Sequence, residues 1–227
     1  AMALAMENVE PGDLTDSMVF NIASQQYPDG RWDLKGFPRS PMSDGTFART
    51  AMAVRVLSQY APKALRRAID QQIAPARRWV EKDQGNTPDD HAMRIAGLRW
   101  AGGSKSVITK TARDLMALQR IDGGWGGNAY MESDAFATGE ALWALAMAKT
   151  DLKSDAVQRG RQYLVSTRKS DGTWHVASRS PKFQPYFESG FLYGHDQWIS
   201  VPGTAWAAVG LIKTGGEPAN RLVSSIP

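Results

Sequence analysis

One pattern occurs three times and governs what this chain can fold into. Gln119-Arg120-Ile121-Asp122-Gly123-Gly124-Trp125 is matched by Gln26-Tyr27-Pro28-Asp29-Gly30-Arg31-Trp32 and, more loosely, by Arg168-Lys169-Ser170-Asp171-Gly172-Thr173-Trp174. An Asp-Gly pair favours a tight turn, because Asp bonds its own backbone and Gly accepts positive φ. Each copy follows a stretch of helical periodicity, so the chain is a tandem repeat. A single repeat of this kind cannot bury its apolar face alone. Gln26 and Gln119 are 93 residues apart and Gln119 and Arg168 are 49 apart. The first interval therefore holds two units, one of which has lost its signature.

The segments between the turns read as alternating outer and inner helices. Outer helices are expected over Leu14–Gln26, from Pro62 to Glu81 with a break or bend near Pro75, over Lys105–Leu118 and over Asp151–Ser166. Inner helices are expected from Asp44 to Gln59, from Asp89 or Asp90 to Ala101, from Ser133 or Asp134 to Ala148, and from Gly203 to Thr214. The inner set is rich in Ala and apolar residues on more than one side, which suits helices packed in the middle of a bundle. Starts at Asp44, Asp90 and Asp134 are 46 and 44 residues apart, whereas Gly203 follows Asp134 by 69. The extra length is an aromatic segment, Trp174 to Trp198. The expected architecture is all-α: about four outer/inner helix pairs forming an α/α toroid or curved array over 1–214, with a peripheral tail over 215–227. Ala1–Asn8 is similar to Ala144–Lys149 and reads as the end of a truncated repeat.

Composition excludes several chemistries. The chain has no cysteine, so disulfides, thiolate zinc sites and cysteine nucleophiles are absent. Its three histidines, His91, His175 and His195, carry no short metal-ligand signature, and neither a metal nor a cofactor is expected. No nucleophile elbow or glycine-rich phosphate loop occurs. The formal charge of +4 is modest. The basic group Lys63, Arg66, Arg67, Arg77, Arg78 and Lys82 reads as a solvated outer helix face, so no nucleic-acid partner is expected. No apolar run is long enough to span a bilayer and no signal peptide is evident. Neither observation decides localisation or membrane association.

Gln26, Trp32, Gln119, Trp125 and Trp174 have structural work to do: the Gln amide can bond a helix end, and the Trp can cover the seam between repeats. This signature, its copies and the alternating helices resemble the Gln-Trp repeats of the squalene-hopene and oxidosqualene cyclase superfamily, whose α/α barrel is shared by protein prenyltransferase β subunits. The resemblance covers about 1–214. Full family barrels commonly have six helix pairs, so it implies a shortened or partial version, with missing repeats or a partner domain. It also implies acid-initiated isoprenoid cyclisation, a metal-independent isomerase activity. The family carries an Asp-x-Asp-Asp motif at an inner-helix start, whose middle Asp is the general acid. Matched residue by residue, Thr87-Pro88-Asp89-Asp90 puts Asp89 in that position, and Glu132-Ser133-Asp134-Ala135 puts Asp134 there. Neither motif is complete, and helix capping accounts for the same aspartates.

The aromatic segment supplies the remaining candidates. Tyr186, Phe187, Phe191, Tyr193 and Trp198 are candidate pocket residues, where aromatic faces could stabilise a carbocation or hold an apolar isoprenoid-like ligand. His195, beside Asp196, is a candidate base. The alternative is a noncatalytic α/α repeat domain that binds an apolar small molecule or a protein, its aromatic segment capping the core by burial.

Overall fold

The computed structural model describes residues 2–33, 45–179 and 185–215 of the 227. The helix start expected at Asp44 and the expected tail beyond Gly215 lie outside the described residues. Among the described residues the chain is all-α: α1 (Met2–Met6), α2 (Asp13–Ala23), α3 (Thr46–Tyr60), α4 (Arg66–Lys82), α5 (Pro88–Ala101), α6 (Lys105–Ala117), α7 (Ala135–Met147), α8 (Asp155–Thr167) and α9 (Gln197–Thr214). They form helix pairs in two compact units, residues 1–111 and 112–227.

In the first unit, α3 and α5 are the core pair. Their buried residues encircle each helix: Ala51, Val54, Val56, Leu57 and Tyr60 on α3, and the whole run from His91 to Leu98 on α5. The flanking α4 is amphipathic and buries only Ile69, Ala76 and Val80. It runs unbroken through Pro75, where the sequence suggests a break; its apolar face against the core outweighs the one hydrogen bond that proline removes. Arg94 is buried on α5. Its Nε donates to Val80 O and its Nη2 to Glu81 O, both at 2.8 Å, and Nη1 reaches Thr111 Oγ1 at 3.1 Å. These carbonyls belong to the last turn of α4, which has no intrahelical donors left. The desolvated cation is thereby satisfied while it anchors one helix to another.

In the second unit, α7 and α9 approach so closely that glycine is required on both. A Cβ on Gly139 would overlap the Trp206–Ala207 backbone, and one on Gly210 would lie 2.7 Å from Gly139 O. The flanking α8 buries Val157, Gly160 and Leu164. α9 begins at Gln197, six residues before the Gly203 expected from sequence, so the end of the aromatic segment is helical.

The recurrent turn is built alike in all three copies. Tyr27 N donates to Arg31 O, Arg120 N to Gly124 O, and Lys169 N to Thr173 O, each at 2.9 Å. Gly30, Gly123 and Gly172 sit at φ 100°, 88° and 88°, a region that penalises a side chain. Each indole Nε1 donates back ten residues, from Trp32 to Ile22 O, Trp125 to Leu115 O and Trp174 to Leu164 O. In the first two copies the glutamine amide joins the turn to the next flanking helix: Gln26 reaches Gly30 O and Gln72 O, and Gln119 reaches Gly123 O and Ala156 O. A threonine on a core helix completes each set. Thr50, Thr138 and Thr204 accept from the amides of Trp32, Trp125 and Trp174 at 3.0, 2.9 and 3.1 Å.

Candidate functional site

A cleft of about 560 Å³ opens at the N-terminus of α7 in the second unit. Its walls come from 131–135, from Tyr163, Thr167 and Lys169 around the end of α8, and from the extended segment 174–179. Asp134 lies in it as the N-cap of α7, with Oδ1 accepting from Ala137 N at 2.9 Å. The other oxygen, Oδ2, is ion-paired with Arg179, and the two side chains are only 15% and 10% exposed. Gly127 makes room for that guanidinium, since a Cβ there would overlap it. A carboxylate in this position accepts on both oxygens, and a proton on Oδ2 would compete with the Arg179 pair while Oδ1 kept the cap.

Tyr163 also lines the cleft, and its hydroxyl donates to Ser133 O at 2.6 Å. Burial pushes the Tyr163 phenol up to about 12, with the negative charges of Asp122 and Glu132 acting in the same direction. His175 lines the same cleft. Its Nε2 meets Asp196 Oδ2 at 2.8 Å, while Asp196 Oδ1 accepts from Ser178 N at 2.9 Å. The histidine–carboxylate pair of the second unit is therefore His175–Asp196. His195 is exposed and places its ring against Tyr186, with centroids 4.6 Å apart. Sequence adjacency drew attention to His195, whereas the fold joins residues 21 apart because the turn ending at Trp174 fixes the position of His175.

The aromatic residues form a surface rim, and none of the five candidate pocket residues lines the cleft. Tyr186, Phe187 and Trp198 are exposed; Phe191 and Tyr193 are half-buried. Phe187 lies 6.2 Å from Trp198 and Tyr193 5.0 Å from His175, between ring centroids. The rim is firmly held: fully buried Gln197 accepts from Ser189 N at 2.6 Å and donates to Phe187 O at 3.0 Å.

Asp89 belongs to the first unit, at the second position of α5. Capping there falls to its neighbours. Thr87 Oγ1 accepts from Asp90 N at 3.1 Å, and Asp90 Oδ2 accepts from Thr87 N at 3.1 Å and Asn86 N at 3.0 Å, a reciprocal capping box. His91 Nδ1 bonds Thr87 O at 2.8 Å. Asp89 is half-buried and directed toward Gly45, where a Cβ would stand 3.1 Å from Oδ2. Among the described residues no group of three or more His, Cys, Asp or Glu side chains is placed to hold a metal ion. No described helix is long and apolar enough to cross a membrane.

Comparison with known proteins places these features in context. Residues 92–207 match the squalene-hopene cyclase C-terminal domain family, a stretch that takes in Asp134 and His195 and begins just after Asp90. A squalene–hopene cyclase of Bradyrhizobium diazoefficiens is 32% identical over 93 residues, covering 37% of this chain and 14% of the cyclase. The solved structure of ent-copalyl diphosphate synthase from Streptomyces platensis shares the fold with a TM-score of 0.53 at 17% identity, covering 86% of this chain and 37% of that one. The chain thus spans well under half the length of either protein.

Proposed function

The chain belongs to the squalene-hopene cyclase C-terminal domain family, and on that premise we propose that it serves acid-initiated cyclisation of an isoprenoid, with Asp89 as the proton donor. The observation that carries this reading is the division of labour at the start of α5. Thr87 Oγ1 caps the Asp90 amide and Asp90 accepts in return from Thr87 N, so the capping box of α5 is built from Thr87 and Asp90. Asp134 caps α7 through one oxygen and pairs with Arg179 through the other.

The chemistry asked of Asp89 is simple to balance. Its carboxyl O–H bond breaks, the proton adds to the CH carbon of a terminal trisubstituted alkene, and the alkene π pair becomes the new C–H bond. The tertiary cation left behind is attacked by the next π bond, and water or a base finally removes a proton. An ordinary carboxyl is ionised at neutral pH, so a donor of this kind must hold a proton at the moment the alkene reacts. The helix N-terminus works against protonation. Proton delivery therefore relies on desolvation when an apolar polyene covers the carboxyl.

The test is incubation of the purified chain with squalene, followed by product analysis by mass spectrometry. Cyclised product is expected from the parent chain and from Asp134→Asn, and its loss from Asp89→Asn. Equal turnover by Asp89→Asn would refute the assignment. A second reading, a noncatalytic domain that binds an apolar molecule or protein, is favoured by the rigidly held aromatic rim. It expects no product from any variant.

A further inference from the structure

One exposed stripe of α9 is apolar. Trp198, Val201, Ala205, Ala208 and Ile212 are exposed and follow one another at helical spacing on a single stripe, with Trp198 55% and Ile212 66% accessible. The opposite face of α9 is the one packed on α7 through Gly203, Ala207 and Gly210. The stripe also has an internal symmetry. Ala205 is its midpoint, seven residues from Trp198 and seven from Ile212; small residues occupy the centre and large ones the ends.

From this we infer that α9 pairs with α9 of a second copy of the chain, antiparallel about a two-fold axis through Ala205. An isologous contact demands self-complementarity, each patch meeting itself turned through half a circle. The stripe meets that demand in shape. Ala205 faces its own counterpart and lets the backbones approach, while Trp198 of one copy covers Ile212 of the other. It meets the demand in charge as well. Exposed Lys213 follows Ile212, and exposed Glu188 adjoins Phe187, whose ring leans on Trp198 at 6.2 Å. Antiparallel pairing therefore brings Lys213 of each copy to Glu188 of the other at both ends of the contact. Phe187, 68% exposed, and Leu192 extend the apolar area beyond the helix. Because Gln197 pins the backbone at 187 and 189, these rings are ordered before the partner arrives, which lowers the entropic cost of association.

The experiment is analytical ultracentrifugation of the whole chain from about 1 to 100 µM, a range suited to a modest helix-face contact. A monomer–dimer equilibrium is expected, the monomer being 24.9 kDa. Ala205→Glu, which places two like charges at the axis, is expected to abolish the dimer. At concentrations where the parent is also monomeric, its circular dichroism and melting curve should match the parent, because position 205 is exposed in the monomer. Lys213→Glu and Glu188→Lys are each expected to weaken dimerisation several-fold, and the double variant to recover most of the loss. A monomer at every concentration, or a dimer that persists in Ala205→Glu, overturns the proposal. So do open-ended oligomers that grow with concentration, which would mark the stripe as the seat of a further helix pair. None of these readouts depends on Asp89 or on turnover.

Discussion

Replacing Thr138 with valine isolates a single hydrogen bond at the centre of the second unit. Thr138 and Trp125 are both fully buried, and the Trp125 amide has Thr138 Oγ1 as its acceptor at 2.9 Å. Valine fills the same volume but leaves that amide without a partner and without water. A buried unsatisfied N–H costs about 1–3 kcal/mol, so Thr138→Val should lose about 2 kcal/mol. Thr138→Ser keeps the hydroxyl and removes one buried methyl group, an expected loss of about 1 kcal/mol. The ordering matters more than either figure: deleting the oxygen must cost more than deleting the carbon. Two compact units can melt separately, so a single transition cannot be assumed. Urea unfolding followed by hydrogen exchange, peptide by peptide, reports each unit on its own. The loss should be confined to peptides of 112–215, and the Trp125 amide should lose most protection. Thr50→Val, which breaks the matching bond to Trp32, should transfer the loss to the first unit. If Thr138→Val is within about 0.3 kcal/mol of the parent, or Thr138→Ser costs as much as Thr138→Val, the hydroxyl is not what holds the turn to the core helix.

Gly139→Ala should destabilise the second unit by roughly 1–3 kcal/mol, because its methyl group meets the Trp206 backbone, which cannot rotate away. Calorimetry should show the fall, and an unchanged midpoint would mean that α7 and α9 slide apart at no cost. The Tyr163 phenol, raised from 10.0 to about 12, stabilises the fold as long as it stays protonated. That contribution is fully present below about pH 10 and is lost as pH climbs through 12. A near-ultraviolet absorbance titration should therefore find a late step near pH 12, and Tyr163→Phe should remove it. Ionisation of every tyrosine by pH 10 in the folded protein would contradict the burial of this hydroxyl.

The turns were legible because their chemistry is local. Asp-Gly fixes φ and Trp follows two residues later, so the pattern survives in one dimension; even the loosest copy, at 168–174, closes with the same backbone bonds as the other two. The threonines that receive the tryptophan amides were not legible. They lie 18, 13 and 30 residues downstream, and no periodicity singles them out. The same limit explains the histidines: His195 stood beside Asp196 in sequence, yet the pair that forms is His175–Asp196, created by the path of the segment after Trp174. For the aspartates, sequence could supply a helix start but not the allocation of roles within it. The hydroxyl of Thr87 and the reach of Asp90 decide the use of α5. At α7, Arg179, 45 residues away, decides the use of Asp134.

The unequal distance from each tryptophan to its threonine has a consequence for how such a chain can change. The fixed bonds close at both ends of that interval, so the residues between are free to lengthen while the frame keeps its register. Growing the interval from 13 to 30 residues costs only about 0.7 kcal/mol in closure entropy. The interval is thus a port for new sequence, each one opening beside the N-terminus of a core helix. A lineage could exchange what is carried there, or an engineer could graft a binding loop into it, without renegotiating the packing of the helices that support it.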